Sequence, residues 1–306
     1  MGSVMIISIA ICTHNRSKAV ARGLAALAAQ TNAAPDVEIL LIDSGSTDAE
    51  AAAIAHLAHR YGAHHWRETQ PGLARARNAA LAAARGVWLA FIDDDAIPAP
   101  DWLAVLRQTI AAHPTAGAIG GAILPQFEAP LPGWWPPSLR AALTILDQPI
   151  PPIPDPFGAN LVVKRGLAQW LGGFPDCLGR QGACLLSHEE TYMVRRLRSE
   201  GHTIIFIPDL IVAHTIGGER LNPAWLLQRQ YWSGASEAVM LGALGEARGQ
   251  KAWRMALKSL LLLPTALVPR ASAWLIDRRC AGAFARGFVR GMVRGPDQPD
   301  ALTHSP

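Results

Sequence analysis

Several features that would mark a familiar class of protein are scarce in this sequence of 306 residues. Its four cysteines form no CxxC or CxxH pattern, which argues against a zinc site or a disulfide framework and for reduced thiols in the cytosol. Only 17% of the residues are charged and 50% are hydrophobic, a balance that excludes intrinsic disorder. No GxGxxG follows a predicted strand, which excludes a nicotinamide dehydrogenase.

Secretion and membrane-spanning signals are also lacking. The N-terminus has no basic segment before its apolar run, so we interpret that run as a first strand and not as a signal peptide. The charge-free stretch at 259–269 has eleven residues and contains two prolines, which is too short to span a bilayer. We therefore expect a cytoplasmic protein.

Positive charge is concentrated near the C-terminus. Residues 251–294 hold nine Lys and Arg against one acid, Asp277, although the net charge of the whole chain is only +4. These bases are mixed with apolar residues and match no nucleic-acid reader motif, so we expect no nucleic-acid partner.

The first half of the chain alternates between strand and helix patterns. The strand patterns cover Met5–Cys12, Val37–Asp43, His64–Arg67 and Val87–Asp93. Helical patterns rich in Ala and Leu lie between them, at about residues 17–30, 48–60 and 72–85. This order predicts an α/β fold with a mostly parallel sheet covered by helices, in which ligands bind at the carboxyl ends of the strands.

Three of the predicted strands end in polar clusters, at residues 13–16, 43–48 and 93–95. The third cluster is a triple aspartate, and alternation along a strand would place Asp93 and Asp95 on one side and Asp94 on the other. Paired carboxylates at a sheet edge suit Mg²⁺ or Mn²⁺, which favours a diphosphate ligand. A solvated acidic turn is the alternative for these three residues considered alone.

The second half is less regular. Residues 125–156 contain ten of the 23 prolines, which predicts a long structured loop without helices or strands. Towards the C-terminus, Phe284, Phe288 and Met292 recur every four residues, and arginines lie on the opposite helical face. This pattern predicts membrane-surface contact through 251–294. A C-terminal helix packed on the domain is the alternative.

Four segments follow one another in an order that resembles family 2 glycosyltransferases of the GT-A fold: Ser8–Arg16, Leu41–Asp48, Gly72–Asn78 and Phe91–Asp95. The resemblance implies a GT-A domain over 1–235, with a nucleotide-sugar-binding half at about 1–124 and an acceptor half at 125–235. A helical, basic and apolar extension follows over 236–306.

The resemblance also implies roles for individual residues. The expected donor-binding residues are Thr13, His14, Asn15, Arg16, Asp43, Arg75, Asn78, Asp93 and Asp94. Among them, Asp43 would accept a hydrogen bond from the base, and Asp93 would contact the ribose. Arg77 points in a different direction from the Arg75/Asn78 pair and is expected on a solvated helix face.

Four further residues are expected to take part in metal binding or catalysis. Asp95 would hold Mg²⁺ or Mn²⁺, and His214 is either a further ligand or a structural hydrogen-bonding residue. Glu190 takes the position of the general base, where the family typically has Asp, and Glu189 would orient the acceptor or the site. A single base and in-line attack imply inversion at the anomeric carbon.

The resemblance thus implies a nucleotide-sugar donor, with a UDP-sugar favoured over a dTDP- or GDP-sugar. The acceptor would be a glycan or lipid-linked saccharide of the cell envelope, and the protein would lie in the cytoplasm or on the cytoplasmic face of the membrane. A sugar-phosphate nucleotidylyltransferase should carry glycine in the 13–16 loop, which this chain lacks. A non-catalytic sugar-binding module stays open as an alternative.

Overall fold

A computed structural model of the protein describes residues 6–147, 155–182, 184–246, 249–262 and 272–294. Within these residues, eight strands form one sheet in the order β3-β2-β1-β4-β7-β6-β8-β5. The strands are β1 Ile7–Thr13, β2 Val37–Ser44, β3 His64–Glu68, β4 Trp88–Asp93, β5 Ala96–Pro98, β6 Ala118–Phe127, β7 Leu161–Lys164 and β8 Ile204–Ile216.

Helices follow most strands of the first half. The described helices are α1 Ser17–Thr31, α2 Asp48–Arg60, α3 Leu73–Ala83, α4 Trp102–Ala112, α5 Arg165–Trp170, α6 Glu189–Ser199, α7 Pro223–Ala243, α8 Gly249–Leu262 and α9 Ala273–Arg294. None of the described helices is both long enough and apolar enough to cross a bilayer.

The α/β prediction is confirmed most directly by the first four strands. β2 pairs with β3 and β1, and β1 pairs with β4, all in parallel. Most residues of β1, β2 and β4 are apolar and nearly all are buried, as expected when helices cover both faces of a parallel sheet. One core cluster includes Leu24 and Trp102, and another includes Leu81 and Phe174.

The other half of the sheet is antiparallel. β7 pairs with β4 and with β6, and β5 pairs with β8. Residues 203–207 and 210–213 carry two separate strand patterns in the sequence, but the structure has one continuous strand there, β8. Its middle residues Pro208 and Asp209 are exposed, which interrupts the apolar pattern without ending the strand.

Contacts divide the chain into two compact units. The first comprises Met1–Pro125, Leu146–Phe174 and Met193–Thr215, and the second comprises Gln126–Ile145, Pro175–Tyr192 and Ile216–Pro306. The predicted boundary at residue 235 falls inside α7, which continues to Ala243.

The proline-rich segment contains more regular structure than the sequence predicts. Its start belongs to β6, and a 3-10 helix covers Pro137–Leu143. Proline is tolerated in the first turn of a helix, and this one has Pro137 there. Within the second unit, Trp135 is 5% exposed and joins an apolar cluster with Leu226 and Ile276. Residues 148–154 of the predicted loop lie outside the described part.

The predicted apolar stripe of the C-terminal helix packs inside the second unit. Phe288 is fully buried, and Phe284 and Met292 pack beside it against Ala238 and Leu241 of α7. These three residues therefore do not form the membrane surface that the sequence predicts, and the alternative of a packed helix holds for them. The reason is that glycines let α7 and α9 approach closely, since a methyl group at Gly234 or Gly287 would overlap the backbone of the other helix.

Candidate functional site

The carboxyl ends of β1, β2 and β4 meet at one edge of the sheet. Thr13 at the end of β1 is paired in register with Asp43 of β2, and Cys12 is paired with Asp93 of β4. The convergence of the three polar clusters that the sequence predicts is therefore present in the structure. Parallel pairing is the cause, because it brings all three carboxyl ends to the same edge.

Arg16 connects the first cluster to the triple aspartate. Its guanidinium lies 2.5 Å from an oxygen of Asp94 and 3.1 Å from an oxygen of Asp95. Thr13 donates a hydrogen bond of 2.8 Å to the other oxygen of Asp94. Burial raises the pKa of Asp94 to about 6, against the opposing effect of Arg16.

The expected alternation of the three aspartates is wrong. Asp94 and Asp95 both turn towards Arg16, whereas Asp93 lies 3.6 Å from the guanidinium of Arg77. The reason is that β4 ends at Asp93 and the next two residues form a turn, where the two-residue periodicity of a strand no longer applies.

His214 lies next to Asp95. The antiparallel pairing of β5 with β8 sets Ala96 opposite His214, and the Nε2 of His214 is 3.2 Å from an Asp95 oxygen. Both side chains are buried, and the Nδ1 of His214 has no hydrogen-bond partner among the described residues.

The metal-ligating side chains at this point, Asp95 and His214, suit a divalent cation that also binds a substrate. No described group of three or more His, Cys, Asp or Glu residues is arranged to hold a metal. The Asp95/His214 pair nevertheless supplies one carboxylate and one imidazole in adjacent positions. Mg²⁺ is commonly held by one or two carboxylates together with phosphate oxygens and water, and Mn²⁺ accepts both ligand types. A protein-only cage is therefore not required for such a cation.

Asp43 is the most deeply buried acid of the three strand ends. It is 0% exposed, and one carboxylate oxygen accepts a hydrogen bond of 3.1 Å from the backbone N–H of Ser46. The other oxygen is buried and accepts no hydrogen bond within the described residues, although the Nε of Arg67 lies 3.8 Å away. Since an unsatisfied buried carboxylate oxygen is costly, this atom is well suited to accept a hydrogen bond from a ligand.

His14 and Asn15 join the first two clusters. The Nδ1 of His14 is 2.6 Å from the carbonyl oxygen of Ser44. The backbone N–H of Asn15 donates to the hydroxyl of Ser46, and its side-chain oxygen accepts from the backbone N–H of Thr47. Asn15 has a φ of 54°, a left-handed conformation that asparagine tolerates better than most residues. The two residues thus fix the shape of the loop, and their side chains bind protein groups.

Helix α3 carries Arg75 and Asn78, whose expected part in donor binding stays a prediction. Arg75 donates to Gln70, while the carboxamide of Asn78 exchanges two hydrogen bonds of 2.8 Å with the backbone of Phe174. The two side chains therefore have separate partners, and Asn78 secures the turn that contains Phe174.

Arg77 is buried, so its predicted position on a solvated face is wrong. It is 2% exposed, and its guanidinium lies beside the rings of Phe91 and Phe174, at 5.6 and 5.8 Å from their centroids. A methyl group at Gly158 would overlap this guanidinium. The cation therefore requires a glycine opposite it, and it reaches Asp93 from inside the domain.

A second cluster lies within the second unit, at the start of α6. Glu189 is 1% exposed and Glu190 is partly exposed, so the two adjacent acids differ in their access to solvent. His188 precedes them with a φ of 73°, which turns the chain into the helix. The guanidinium of Arg229 donates to Ser187 at 3.1 Å, and burial lowers its pKa to about 10, with Arg180 adding to the effect.

Sequence reasoning missed Arg67 and Arg180 as members of these clusters and placed Arg77 wrongly. Arg77 carried one usable signal, since it lies three residues from Ala74 and from Ala80, both of which are buried in the core. For Arg67 and Arg180 no local pattern exists, because each reaches its cluster only through long-range packing.

Comparison with known proteins assigns the family. Glycosyl transferase family 2 matches residues 8–168, just over half of the chain. The chain therefore belongs to glycosyl transferase family 2. The matched region includes all three strand-end clusters and helix α3.

Two curated relatives and one solved structure show where the similarity extends. A glucosyl-dolichyl phosphate glucuronosyltransferase of Haloferax volcanii is 27% identical over 181 residues, which are 58% of this chain and 58% of that protein. The succinoglycan biosynthesis protein ExoM of Rhizobium meliloti is 27% identical over 270 residues, 82% of this chain and 80% of that protein. A mannosyltransferase, PcManGT from Pyrobaculum calidifontis, solved with GDP-Man and Mn²⁺, is 19% identical with a TM-score of 0.57, covering 98% of this chain and 76% of that one. The last comparison confirms the GT-A type of fold.

Proposed function

We propose that this protein transfers a sugar, with inversion, from a nucleoside-diphosphate sugar to a hydroxyl group of a cell-envelope glycan or a lipid-linked saccharide. The observation that carries the proposal is the meeting of Arg16, Asp43, Asp95 and His214 at one sheet edge of a family 2 domain. The names of the two curated relatives, a dolichyl-phosphate glycosyltransferase and a succinoglycan biosynthesis protein, support the acceptor class.

Several residues near the strand ends of the first unit each have a defined part in donor binding. Asp43 accepts a hydrogen bond from the base through its buried oxygen, and uracil is the base that the family resemblance favours. Asp93, held by Arg77, contacts the ribose. Arg16 keeps Asp94 and Asp95 in place and offers its partly exposed guanidinium to the diphosphate.

Asp95 and His214 would hold Mg²⁺ or Mn²⁺, which would neutralise the charge that develops on the departing nucleoside diphosphate. The short contact between the two side chains and the Nδ1 atom of His214 without a hydrogen bond support this assignment. Thr13 acts through Asp94 and not on the donor, because it is 3% exposed and donates to that carboxylate.

Glu190 takes the proton from the acceptor hydroxyl as its oxygen attacks the anomeric carbon. Glu190 is the more accessible of the two acids at the start of α6, while Glu189 is buried and orients the site. General base catalysis typically contributes on the order of 10²–10⁴ in rate.

Donor binding is tested by thermal unfolding with UDP, dTDP or GDP, each with and without Mn²⁺. One nucleotide at about 100 times its Kd should stabilise the protein by about 2.7 kcal/mol, and only with the cation present. Asp95→Asn should abolish this shift. Asp101→Asn, an exposed acid before α4, is the matched control and should leave it unchanged.

Catalysis is tested by nucleotide release from UDP-, dTDP- and GDP-sugars, with water as the acceptor. Glu190→Gln should lower turnover by about 10²–10⁴ and leave the nucleotide-induced thermal shift intact. Glu200→Gln, an exposed acid just after α6, is the control. Absence of nucleotide release by the unchanged protein with every sugar donor would favour a non-catalytic binding module, whereas equal turnover of Glu190→Gln and the unchanged protein would refute Glu190 as the base. The anomer that NMR detects in the first product decides between inversion and retention.

A further inference from the structure

Helix α8 exposes an apolar stripe on the side opposite to its packed face. Met255 packs against the cluster around Phe288, and Leu262 lies next to Gly282 of α9. Trp253, Leu257 and Leu261 follow one another at intervals of four residues on the other side. Their exposed fractions are 71%, 47% and 67%. At 100° per residue these three side chains form one stripe.

Exposure of this kind is unusual for side chains so large. Scattered exposed apolar residues are ordinary on a protein surface, but three that are aligned on one helix form a patch that marks an interaction site. The opposite face of α8 already packs within the second unit, whereas the apolar stripe stays exposed. The stripe is therefore a surface on which an interaction partner could dock.

Positive charge lies beside the stripe. Arg254 and Lys258 each follow a stripe residue directly, and both are exposed. Lys251 is different, because it is partly exposed and pairs with Glu237 at 2.6 Å. The sequence of α8 contains no Asp or Glu, so nothing on this helix offsets the two exposed cations.

We propose that α8 lies flat on an anionic lipid bilayer, with Trp253, Leu257 and Leu261 inserted at the boundary between headgroups and acyl chains. Arg254 and Lys258 then contact the lipid phosphates. Tryptophan favours this boundary, and apolar residues flanked by Lys and Arg define an interfacial helix. The charge argues against a second copy of the chain as the occupant, because two α8 stripes face to face would bring four cations together.

This proposal replaces the stripe on α9 that the sequence predicts with a different surface in the same basic segment. It is independent of the donor site, since no stripe residue belongs to the strand-end clusters. Failure of nucleotide binding would leave it intact, and loss of membrane binding would leave the donor site intact.

The test uses the full chain and flotation with phosphatidylcholine vesicles, with or without phosphatidylglycerol. The unchanged protein should float with the anionic vesicles and show a blue shift of tryptophan fluorescence. Trp253→Ser should weaken binding about tenfold or more, because a fully buried aromatic side chain contributes at least that much. Trp170→Ser, at a residue 65% exposed on α5, is the matched control and should bind like the unchanged protein.

A second pair of variants tests the charges. Arg254→Gln with Lys258→Gln should weaken binding to anionic vesicles by about 25-fold, since each cation near the surface contributes about fivefold. Lys18→Gln with Arg22→Gln, two exposed cations four residues apart on α1, provides the control and should change nothing.

Three results would overturn the proposal. The first is that the unchanged protein stays with the soluble fraction in both vesicle types. The second is that Trp253→Ser and Trp170→Ser lose the same amount of binding. The third is that sedimentation shows a dimer that Leu257→Ser dissociates, because the stripe would then bind a second copy. All of these substitutions replace exposed side chains, so unchanged thermal unfolding confirms that each variant is folded.

Discussion

The contact between α7 and α9 depends on glycine, and replacing Gly287 by alanine should separate the two helices. A methyl group at Gly287 would overlap the carbonyl oxygen of Tyr231 and lie 3.1 Å from the backbone N of Ala235. Gly234 of α7 faces α9 in the same way, at the carbonyl of Phe284. Because the obstacle is backbone on a packed helix, no change of rotamer relieves the overlap.

The magnitude follows from two opposing effects. Alanine is favoured over glycine in a helix by about 1 kcal/mol, which on its own would stabilise α9. Overpacking a tight contact costs about 1–3 kcal/mol where side chains can yield, and more where backbone must move. We therefore expect Gly287→Ala to lower the free energy of unfolding by about 2–3 kcal/mol in spite of its better helix propensity.

Gly282 provides the matched control on the same helix. A methyl group there would meet Leu262 at 3.2 Å and the end of Arg286 at 3.4 Å, both of them side chains that can move. Gly282→Ala should therefore be neutral or stabilising by up to about 1 kcal/mol. Thermal unfolding followed by circular dichroism compares the two variants. If Gly287→Ala melts at or above the temperature of Gly282→Ala, the reasoning about the α7/α9 contact is refuted.

Three further predictions concern buried groups of the two units. Arg77→Met should lower the free energy of unfolding by about 1–2 kcal/mol in chemical denaturation, because it removes a buried guanidinium that pairs with the partly exposed Asp93, whereas Arg75→Met at a partly exposed position should change it by less than about 0.5 kcal/mol. Burial raises the pKa of Cys280 to about 12, so iodoacetamide should modify the partly exposed Cys12 in the folded protein and Cys280 only after unfolding, as mass spectrometry will show. Burial alone would raise the pKa of Glu38, but hydrogen bonds from Ser8 and Arg85 lower it below 4.5. Glu38→Gln should therefore lower the free energy of unfolding by about 2–3 kcal/mol at pH 7. Denaturation curves should show this difference shrinking as the pH falls below about 4.5.

The sequence was sufficient for the parallel half of the fold. The apolar runs of β1, β2 and β4 are each bounded by polar residues, and the helices between them begin and end within about two residues of the predicted positions. Local patterns determine such elements because a strand buried on both faces has to be apolar along its length. The convergence of the three strand ends followed from parallel pairing alone.

The sequence was not sufficient wherever a contact joins distant parts of the chain. The expected alternation of the aspartates failed because β4 ends at Asp93, and Arg16, 78 residues before Asp94, decides where the next two carboxylates point. Arg77 is buried because Phe91, Phe174 and Gly158 enclose it, and they come from three separate segments.

The surface proposed to contact a membrane shows the same division. Composition alone located the basic and apolar segment, and periodicity alone found an amphipathic stripe on α9. Only the tertiary structure decided that this stripe packs against α7 while Trp253, Leu257 and Leu261 of α8 stay exposed. Periodicity reports that a helix has an apolar face, but which partner covers that face depends on how closely two backbones can approach. In this protein the glycines of α7 and α9 allow that approach.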